Sequence, residues 1–177
     1  MSSPGLPDAV RPPWAPRAAV LPRSPLRLPT AEATRALGRR LAAVLQAGDL
    51  VLLSGQVGAG KTTLTQGLGE GLGVRGRVTS PTFVIARTHP PLGAGPALVH
   101  VDAYRLDSLD QLDDLDLDTA LEDSVLVVEW GEGGAERLAA DHLAIRLERA
   151  RGAAAGQTRL AHLRAVGPGW SRPWPQS

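Results

Sequence analysis

One glycine-rich segment carries residue types at the spacing that binds the phosphates of a nucleotide. Residues 55–62 read Gly-Gln-Val-Gly-Ala-Gly-Lys-Thr and match the phosphate-loop pattern G-x-x-x-x-G-K-[ST] at every fixed position. In this pattern, Lys61 reaches the β- and γ-phosphates and the Thr62 hydroxyl binds Mg²⁺. The backbone N–H groups that surround the phosphates belong to Gly55, Gly58, Ala59 and Gly60. The alternative is a glycine-rich turn between a strand and a helix that binds nothing.

Lys61 is the only lysine in a chain that has 19 lysine and arginine residues. An ammonium is a compact point charge on a flexible stem, which suits a reach toward phosphate oxygens. We expect Lys61 to be exposed in the empty loop, so that its replacement removes a ligand contact rather than core packing.

The residues on either side of the loop predict the strand and the helix that a phosphate loop connects. The apolar run at residues 49–54 is typical of a strand that is buried on both faces. Leu64, Leu68 and Leu72 recur every four residues and predict an apolar stripe along the following helix. Gly73 is placed to end that helix.

Two further segments supply acids for a magnesium site. Residues 125–130 read Val-Leu-Val-Val-Glu-Trp, a buried strand that ends at Glu129, where phosphate-loop enzymes place an acid for Mg²⁺ or its water. Residues 100–106 read His-Val-Asp-Ala-Tyr-Arg-Leu, and strand alternation places on one face His100, Asp102 and Tyr104. Asp102 then orients a water molecule or completes the magnesium shell. The alternatives are a solvated charge at a strand end for Glu129, and a core histidine beside an ordinary salt bridge for the second segment.

The rest of the chain predicts an α/β sandwich with a mixed, mainly parallel sheet flanked by helices. A helix capped by Thr30 is expected to end at Gly48, and one or two short helices are expected within residues 108–123. Further strands are predicted at residues 81–88, 97–102 and 124–128, and a closing hairpin at residues 142–148 and 158–166. Strands that alternate with helices around a phosphate loop indicate a P-loop nucleotide-binding fold.

Composition predicts one domain between two tails. The 177 residues, 43% of them hydrophobic, suit one domain at residues 30–166, and the formal net charge of +1 implies no general affinity for polyanions. Residues 1–29 and 167–177 are rich in proline, so we expect disordered tails outside the fold. The N-terminal tail is a passive extension or, as the alternative, a basic arm that contacts RNA or a partner. The absence of cysteine excludes disulfides and cysteine-ligated zinc, and no apolar run approaches a membrane span, which favours a cytoplasmic protein.

An acidic block follows the second acid-bearing segment. Residues 106–136 contain eleven acids and no base. Such a block repels a phosphate backbone and suits a basic protein surface, although a solvated helical face is the simpler alternative.

The ordered set of motifs closely resembles that of the bacterial ATPase family of tRNA threonylcarbamoyladenosine biosynthesis, known as TsaE. The resemblance covers roughly residues 30–166. It consists of the phosphate loop, Ser-Pro-Thr-Phe at 80–83, His-Val-Asp-Ala-Tyr-Arg-Leu at 100–106 and Glu-Trp at 129–130. The chain departs from the family pattern at Gln56, Val57, Asp116, Ala120 and Gly131.

The resemblance implies an ATPase that uses ATP and Mg²⁺. It implies that Lys61, Thr62 and Thr63 hold phosphate and magnesium, and that Thr82 lies in a switch-like loop near the γ-phosphate. Asp102 and Glu129 complete the site, and with Lys61 they are its implied catalytic residues. The implied partner is the protein complex that attaches threonylcarbamoyl to the adenosine beside the tRNA anticodon. The resemblance further implies that hydrolysis resets that complex and that the ATPase contacts tRNA only indirectly.

Other activities compete with this interpretation. A small-molecule P-loop kinase would use Asp102 as the base for an acceptor hydroxyl. Residues 106–136 supply no arginine for a closing lid, but Arg87 and Arg105 remain candidates. A non-hydrolysing nucleotide-sensing module needs the same loop and the same magnesium acid. A GTPase is excluded, because the guanine-specific Asn-Lys-x-Asp pattern needs an asparagine and the chain has none.

Overall fold

The computed structural model describes residues 25–81, 84–105, 115–130, 134–152 and 156–167, together with Trp170 and Trp174. Within these residues, no helix is long and apolar enough to cross a membrane.

Strands and helices alternate along much of the described chain. The strands are β1 (Leu26–Leu28), β2 (Leu50–Ser54), β3 (Ala86–His89), β4 (Ala97–Asp102), β5 (Ser124–Glu129), β6 (His142–Arg149) and β7 (Arg159–Val166). The helices are α1 (Ala31–Ala42), α2 (Lys61–Leu72) and α3 (Leu117–Glu122), with short 3₁₀ helices at Ala103–Arg105 and Ala135–Leu138.

The strands form one mixed sheet in the order β1-β7-β6-β2-β5-β4-β3. Its four central strands, β6, β2, β5 and β4, run parallel to one another. The outer strands β3, β7 and β1 pair antiparallel. The predicted α/β sandwich with a mixed sheet and a parallel centre is therefore confirmed, as is the closing hairpin, which β6 and β7 form.

Helices cover both faces of the sheet, and β2 shows how the core is divided. Its successive side chains point to opposite faces, as in any strand. Val51 and Leu53 pack in a cluster with α1 and α2, whereas Leu50 and Leu52 pack in a cluster with α3. The continuous apolar run of β2 is thus the consequence of burial on two sides.

The helix ends follow local chemistry. Thr30 caps α1, and its Oγ1 accepts a hydrogen bond from the N–H of Ala33 at 3.0 Å. α1 ends at Ala42 rather than Gly48, because the chain then turns and the N–H of Gly48 donates to carbonyls at the end of α3 and the start of β5. α2 ends at Leu72, and Gly73 follows in the left-handed conformation (φ 68°), as predicted.

Parts of both predicted tails belong to the fold. Leu26–Leu28 pairs with β7 and thereby extends the sheet. Trp170 is buried in the core, and the Arg40 guanidinium lies 5.5 Å from the centroid of the Trp174 ring. The prediction of disordered tails is wrong for these residues, because their leucine and tryptophan side chains bury enough apolar surface to outweigh the proline-rich composition. Most of the remaining tail residues lie outside the described part of the chain.

Two predicted elements differ in extent. The strand predicted at residues 81–88 begins only at Ala86, because the N–H groups of Val84 and Ile85 donate to the carbonyl of Pro81 and form a turn. Ile85 leaves that turn with a φ of 65°. Of the helices predicted within residues 108–123, α3 is present, and residues 106–114 lie outside the described residues.

Glycines allow α1 and α2 to approach closely. A Cβ atom added at Gly67 would lie 2.0 Å from the carbonyl oxygen of Arg35, and one added at Gly38 would lie 2.3 Å from the carbonyl oxygen of Leu64. This contact brings the start of α1 beside the phosphate loop, where Thr34 Cγ2 lies 3.6 Å from the position of a Cβ on Gly60. The packing of the two helices therefore helps to shape the cavity described below.

The substitution Gly67→Ala tests this packing. Alanine is the better helix former by roughly 1 kcal/mol, yet we expect a net loss of about 1–3 kcal/mol in the free energy of unfolding, since backbone atoms must move apart. Chemical denaturation measures the change. The control is Gly93→Ala, where an added Cβ meets no atom within 4 Å. A Gly67→Ala protein as stable as the control would contradict the tight helix contact.

Candidate nucleotide-binding site

A cavity of about 400 Å³ opens where β2, β4 and β5 end and α1 and α2 begin. Ligand sites in α/β sheets are commonly found beyond the carboxyl ends of parallel strands. Most of the residues predicted to bind nucleotide or metal line it, namely Gly58, Gly60, Lys61, Thr62, Thr63, Asp102 and Glu129. Thr82 lies outside the described residues, so its place in the site stays a prediction.

The phosphate loop has a backbone that only glycine can supply at its two ends. Gly55 has a φ of 140°, and a Cβ there would lie 2.2 Å from the carbonyl oxygen of Leu147 in β6. Gly60 has a φ of 106° and immediately precedes α2. Lys61, Thr62 and Thr63 form the first turn of α2, whose free N–H groups and positive dipole end attract anions. Loop and helix together fit a polyphosphate.

Lys61 is buried, which corrects the expectation of an exposed side chain. Only 6% of the residue is accessible to solvent. Its Nζ donates hydrogen bonds to the carbonyl oxygens of Gly55 at 2.8 Å and Gln56 at 3.3 Å. The ammonium folds back onto its own loop because these carbonyls replace the water that burial removes.

Charges and burial act in opposite directions on Lys61. Burial lowers the pKa of its ammonium below the ordinary value, whereas the nearby carboxyl groups of Glu129 and Asp102 raise it. The Lys61 Nζ also lies 4.3 Å from the centroid of the Trp130 ring, a distance suited to cation–π attraction. One cation thus interacts with the loop, both acids and an aromatic ring.

Asp102 and Glu129 lie side by side at the ends of adjacent parallel strands. The register of β4 and β5 pairs them directly, and both residues are buried. Asp102 Oδ1 accepts a hydrogen bond from the N–H of Tyr104 at 3.1 Å. In the described residues, no group of three or more histidine, aspartate or glutamate side chains forms a complete metal site. Two carboxylates beside a phosphate loop fit Mg²⁺, which commonly binds through one or two carboxylates, phosphate oxygens and water.

His100 orients Glu129. Its ring is fully buried, and Nε2 lies 2.8 Å from Glu129 Oε1. His100 Nδ1 is buried without a hydrogen-bond partner among the described residues, so Nε2 is the nitrogen placed to carry the hydrogen toward the carboxylate. His100 is therefore a core histidine, as the alternative interpretation expects, but it also contacts one carboxylate oxygen of Glu129 in the candidate site.

Two aromatic rings border the cavity. Trp130 leaves β5 with a φ of 62°, and its ring centroid lies 5.4 Å from that of Tyr104. Tyr104 is 64% exposed and does not share a strand face with His100 and Asp102. That prediction is wrong because β4 ends at Asp102 and the chain continues as a 3₁₀ helix.

The β6–β7 hairpin contributes residues that the sequence did not single out. Gln157 and Arg159 line the cavity. Arg159 Nη2 donates to the carbonyl oxygen of Gly58 at 3.3 Å, and Arg149 Nη2 donates to the same oxygen at 3.4 Å. These residues lie about 90 to 100 positions after the loop, and no motif links them to it. Arg87, which the sequence offered for the site, instead donates to Thr79 Oγ1 at 2.7 Å.

Comparisons with known proteins agree with the motifs. Residues 28–159 match the family model described as threonylcarbamoyl adenosine biosynthesis protein TsaE. The tRNA threonylcarbamoyladenosine biosynthesis protein TsaE of Streptomyces coelicolor is 64% identical over 138 residues, which cover 77% of this chain and 93% of that protein. The Bacillus subtilis protein of the same name is 41% identical over 120 residues, covering 67% and 73%.

The fold has a solved counterpart as well. The crystal structure of Bacillus subtilis YdiB aligns with a TM-score of 0.64 at 32% identity, over 82% of this chain and 87% of that one. Since the family model spans most of the domain and relatives match it at high identity, the resemblance read from the motifs is confirmed: the chain belongs to the TsaE family.

Proposed function

We propose that this protein is a Mg²⁺-dependent ATPase that acts in the cytoplasm in the biosynthesis of threonylcarbamoyladenosine in tRNA. Family membership and the names of the relatives support the pathway. The observation that carries the ATPase activity is the buried Lys61 ammonium in a glycine-rich loop, with the paired acids Asp102 and Glu129 in the same cavity.

Each residue has a chemical role in this proposal. The Lys61 ammonium exchanges its loop carbonyls for the β- and γ-phosphates, and the N–H groups at the start of α2 bind the same oxygens. Thr62 and one or both acids hold Mg²⁺, directly or through water. Mg²⁺ offsets the negative charge of the phosphates during phosphoryl transfer. Where only one acid is a direct ligand, the other orients the attacking water.

In this proposal, hydrolysis resets the protein complex that transfers threonylcarbamoyl to tRNA. The chain itself contacts tRNA only indirectly, through that complex. The exposed residues in and beside α3 support an acidic contact surface for a basic protein partner: Asp116, Asp118, Glu122 and Asp123. We expect slow turnover by the isolated chain. An arginine supplied by a partner accelerates related switches by roughly 10³ to 10⁵.

Lys61→Met tests the nucleotide site. It keeps an unbranched apolar side chain but removes the ammonium, and charge-assisted hydrogen bonds are worth about 1.5–3 kcal/mol. We expect ATP affinity to fall by about 10- to 150-fold, which is the same energy expressed as a ratio, and phosphate release to become undetectable. Isothermal titration calorimetry and a phosphate-release assay measure the two effects.

The control for Lys61→Met is Arg75→Met, which removes an exposed cation that does not line the cavity. Thermal unfolding establishes that both variants fold. A folded Lys61→Met protein that hydrolyses ATP at the wild-type rate would refute the site. If the wild-type protein binds ATP but does not hydrolyse it, with or without its partners, the result would favour a nucleotide sensor.

His100 substitutions test how Glu129 is held. His100→Leu removes the hydrogen bond to the carboxylate, and we expect the apparent Mg²⁺ affinity in the ATPase assay to fall by roughly 10- to 100-fold, as when other partners of metal-binding groups are lost. His100→Gln places an amide donor near the position of Nε2 and should restore much of that affinity. Equal Mg²⁺ dependence in wild type and the folded leucine variant would exclude a positioning role.

A further inference from the structure

Two buried histidines in neighbouring strands each have a ring nitrogen that lacks a hydrogen-bond partner among the described residues. These nitrogens are His89 Nε2 in β3 and His100 Nδ1 in β4. The exposed fraction is 5% for His89 and 0% for His100. Because an unpaired buried polar atom is costly, such atoms are nearly always paired in folded proteins. The two nitrogens are therefore candidates to satisfy each other.

The register of β3 and β4 places the two histidines on one face of the sheet. His100 lies opposite Arg87, and His89 lies opposite Leu98, two residues before His100. Side chains two residues apart in a strand share a face, so His89 and His100 are diagonal neighbours. Diagonal neighbours of an antiparallel pair lie about 7 to 8 Å apart, within reach of aromatic and long side chains.

The same diagonal step leads from His100 to the candidate site. His100 lies opposite Val127 in β5, and Glu129 follows two residues later on the same face. A contact bridges this second step, since His100 Nε2 lies 2.8 Å from Glu129 Oε1. Three adjacent strands thus carry His89, His100 and Glu129 in a diagonal line, and the two unpaired nitrogens belong to its first step.

The chemistry of the rings decides which of them donates. With its hydrogen on Nε2 and directed at Glu129, a neutral His100 has only a lone pair on Nδ1 and needs a donor there. A neutral His89 supplies one when its hydrogen is on Nε2. Burial and, to a smaller extent, the charges of His100 and Arg87 lower the pKa of His89, which favours its neutral ring.

We propose that His89 is a positioning residue of the candidate site: its Nε2–H donates a hydrogen bond to His100 Nδ1, directly or through one buried water molecule, and this bond helps to hold the Glu129 carboxylate. Hydrogen bonds in a chain polarise and strengthen one another. A His100 ring that is bonded at both nitrogens cannot rotate without breaking both bonds. The bond lies within the protein and needs no nucleotide, whereas its effect on Mg²⁺ rests on the proposed function.

Nuclear magnetic resonance of the ¹⁵N-labelled wild-type chain, without nucleotide or Mg²⁺, tests the hydrogen bond. The ring nitrogens of His100 are assigned by their loss in His100→Gln. We expect a hydrogen on Nε2 and none on Nδ1, and an Nδ1 resonance upfield of a free imine nitrogen because it accepts a bond. A scalar coupling between His89 Nε2 and His100 Nδ1 identifies the direct bond, and the upfield position without coupling identifies the water-mediated one.

Substitution of His89 tests the bond independently. His89→Phe keeps a planar ring but has no donor, so the His100 Nδ1 resonance should move downfield. His89→Gln places an amide donor near the position of Nε2 and should reverse that shift. Circular dichroism establishes that the variants are folded, and the wild-type spectrum decides the bond even if one of them is not.

Mg²⁺ titration of the ATPase tests the positioning role. We expect His89→Phe to weaken the apparent Mg²⁺ affinity about threefold, less than His100→Leu does, because His89 acts through one further bond. His89→Gln should restore most of the affinity.

The matched control is His142→Phe. His142 is also buried, but it lies in β6, its Nδ1 is 3.3 Å from the carbonyl oxygen of Ala139, and it does not line the cavity. This variant should leave both the His100 resonances and the Mg²⁺ affinity unchanged.

Specific results would overturn the role of His89. A wild-type Nδ1 resonance at the position of a free imine, a hydrogen found on Nδ1, or no shift in folded His89→Phe would exclude the donated bond. A shifted resonance with wild-type Mg²⁺ dependence would exclude positioning through Glu129. Failure of the wild-type chain to bind Mg²⁺ and ATP would refute the proposed function and the effect on the metal, while the nucleotide-free spectra would still decide the bond.

Discussion

A buried ammonium on a loop of glycines stabilises the conformation of the candidate site. Lys61 Nζ is removed from water and satisfied by the carbonyls of Gly55 and Gln56. An isolated buried charge is costly, so the loop must keep the curvature that turns these carbonyls toward the side chain. The glycine conformations at Gly55 and Gly60 make that curvature possible. In the proposed function, phosphate oxygens replace these carbonyls as partners of the ammonium.

The sheet completes this arrangement by placing opposite charge beside the ammonium. Because β4 and β5 are parallel neighbours in register, Asp102 and Glu129 end at the same level. Both carboxyl groups favour the charged form of Lys61, against the effect of burial. The hydrogen bond between His100 and one oxygen of Glu129 limits the orientations of that carboxylate. Charge, strand register and one hydrogen bond together define a site suited to a phosphate chain and a divalent cation.

Patterns that are continuous in sequence predicted their structures well. The apolar run of β2, the four-residue leucine spacing of α2 and the motif between them describe a strand, a loop and a helix that are all present. Strand β5 follows from an equally local apolar run, and the β6–β7 hairpin from two strand-like segments around a Gly/Ala-rich loop. The family resemblance depended on the order of the motifs, and the match to the family model confirms the family.

What the sequence could not supply depends on contacts between distant segments. The bond from His100 to Glu129 joins two strands, and the approach of Arg149 and Arg159 to Gly58 needs the register of the hairpin. The burial of Lys61 cannot be predicted from a residue pattern, because its partners are backbone carbonyls, which any residue supplies. The packing of Trp170 in the core is unpredictable for a different reason. Its segment is rich in proline, and composition alone does not indicate that one side chain is buried.

In the proposed function, Lys61 leaves its present contacts when a nucleotide binds, and the fluorescence of Trp130 follows that movement. Its ring lies 4.3 Å from the ammonium, so movement of Nζ changes the charge beside the indole. The measurement is the fluorescence of a protein in which Trp14, Trp170 and Trp174 are replaced by phenylalanine, titrated with Mg²⁺ and a non-hydrolysable ATP analogue. We predict a saturable change in emission whose midpoint equals the affinity found by calorimetry. A flat trace while calorimetry shows the analogue bound would show that Lys61 keeps its loop carbonyls as partners.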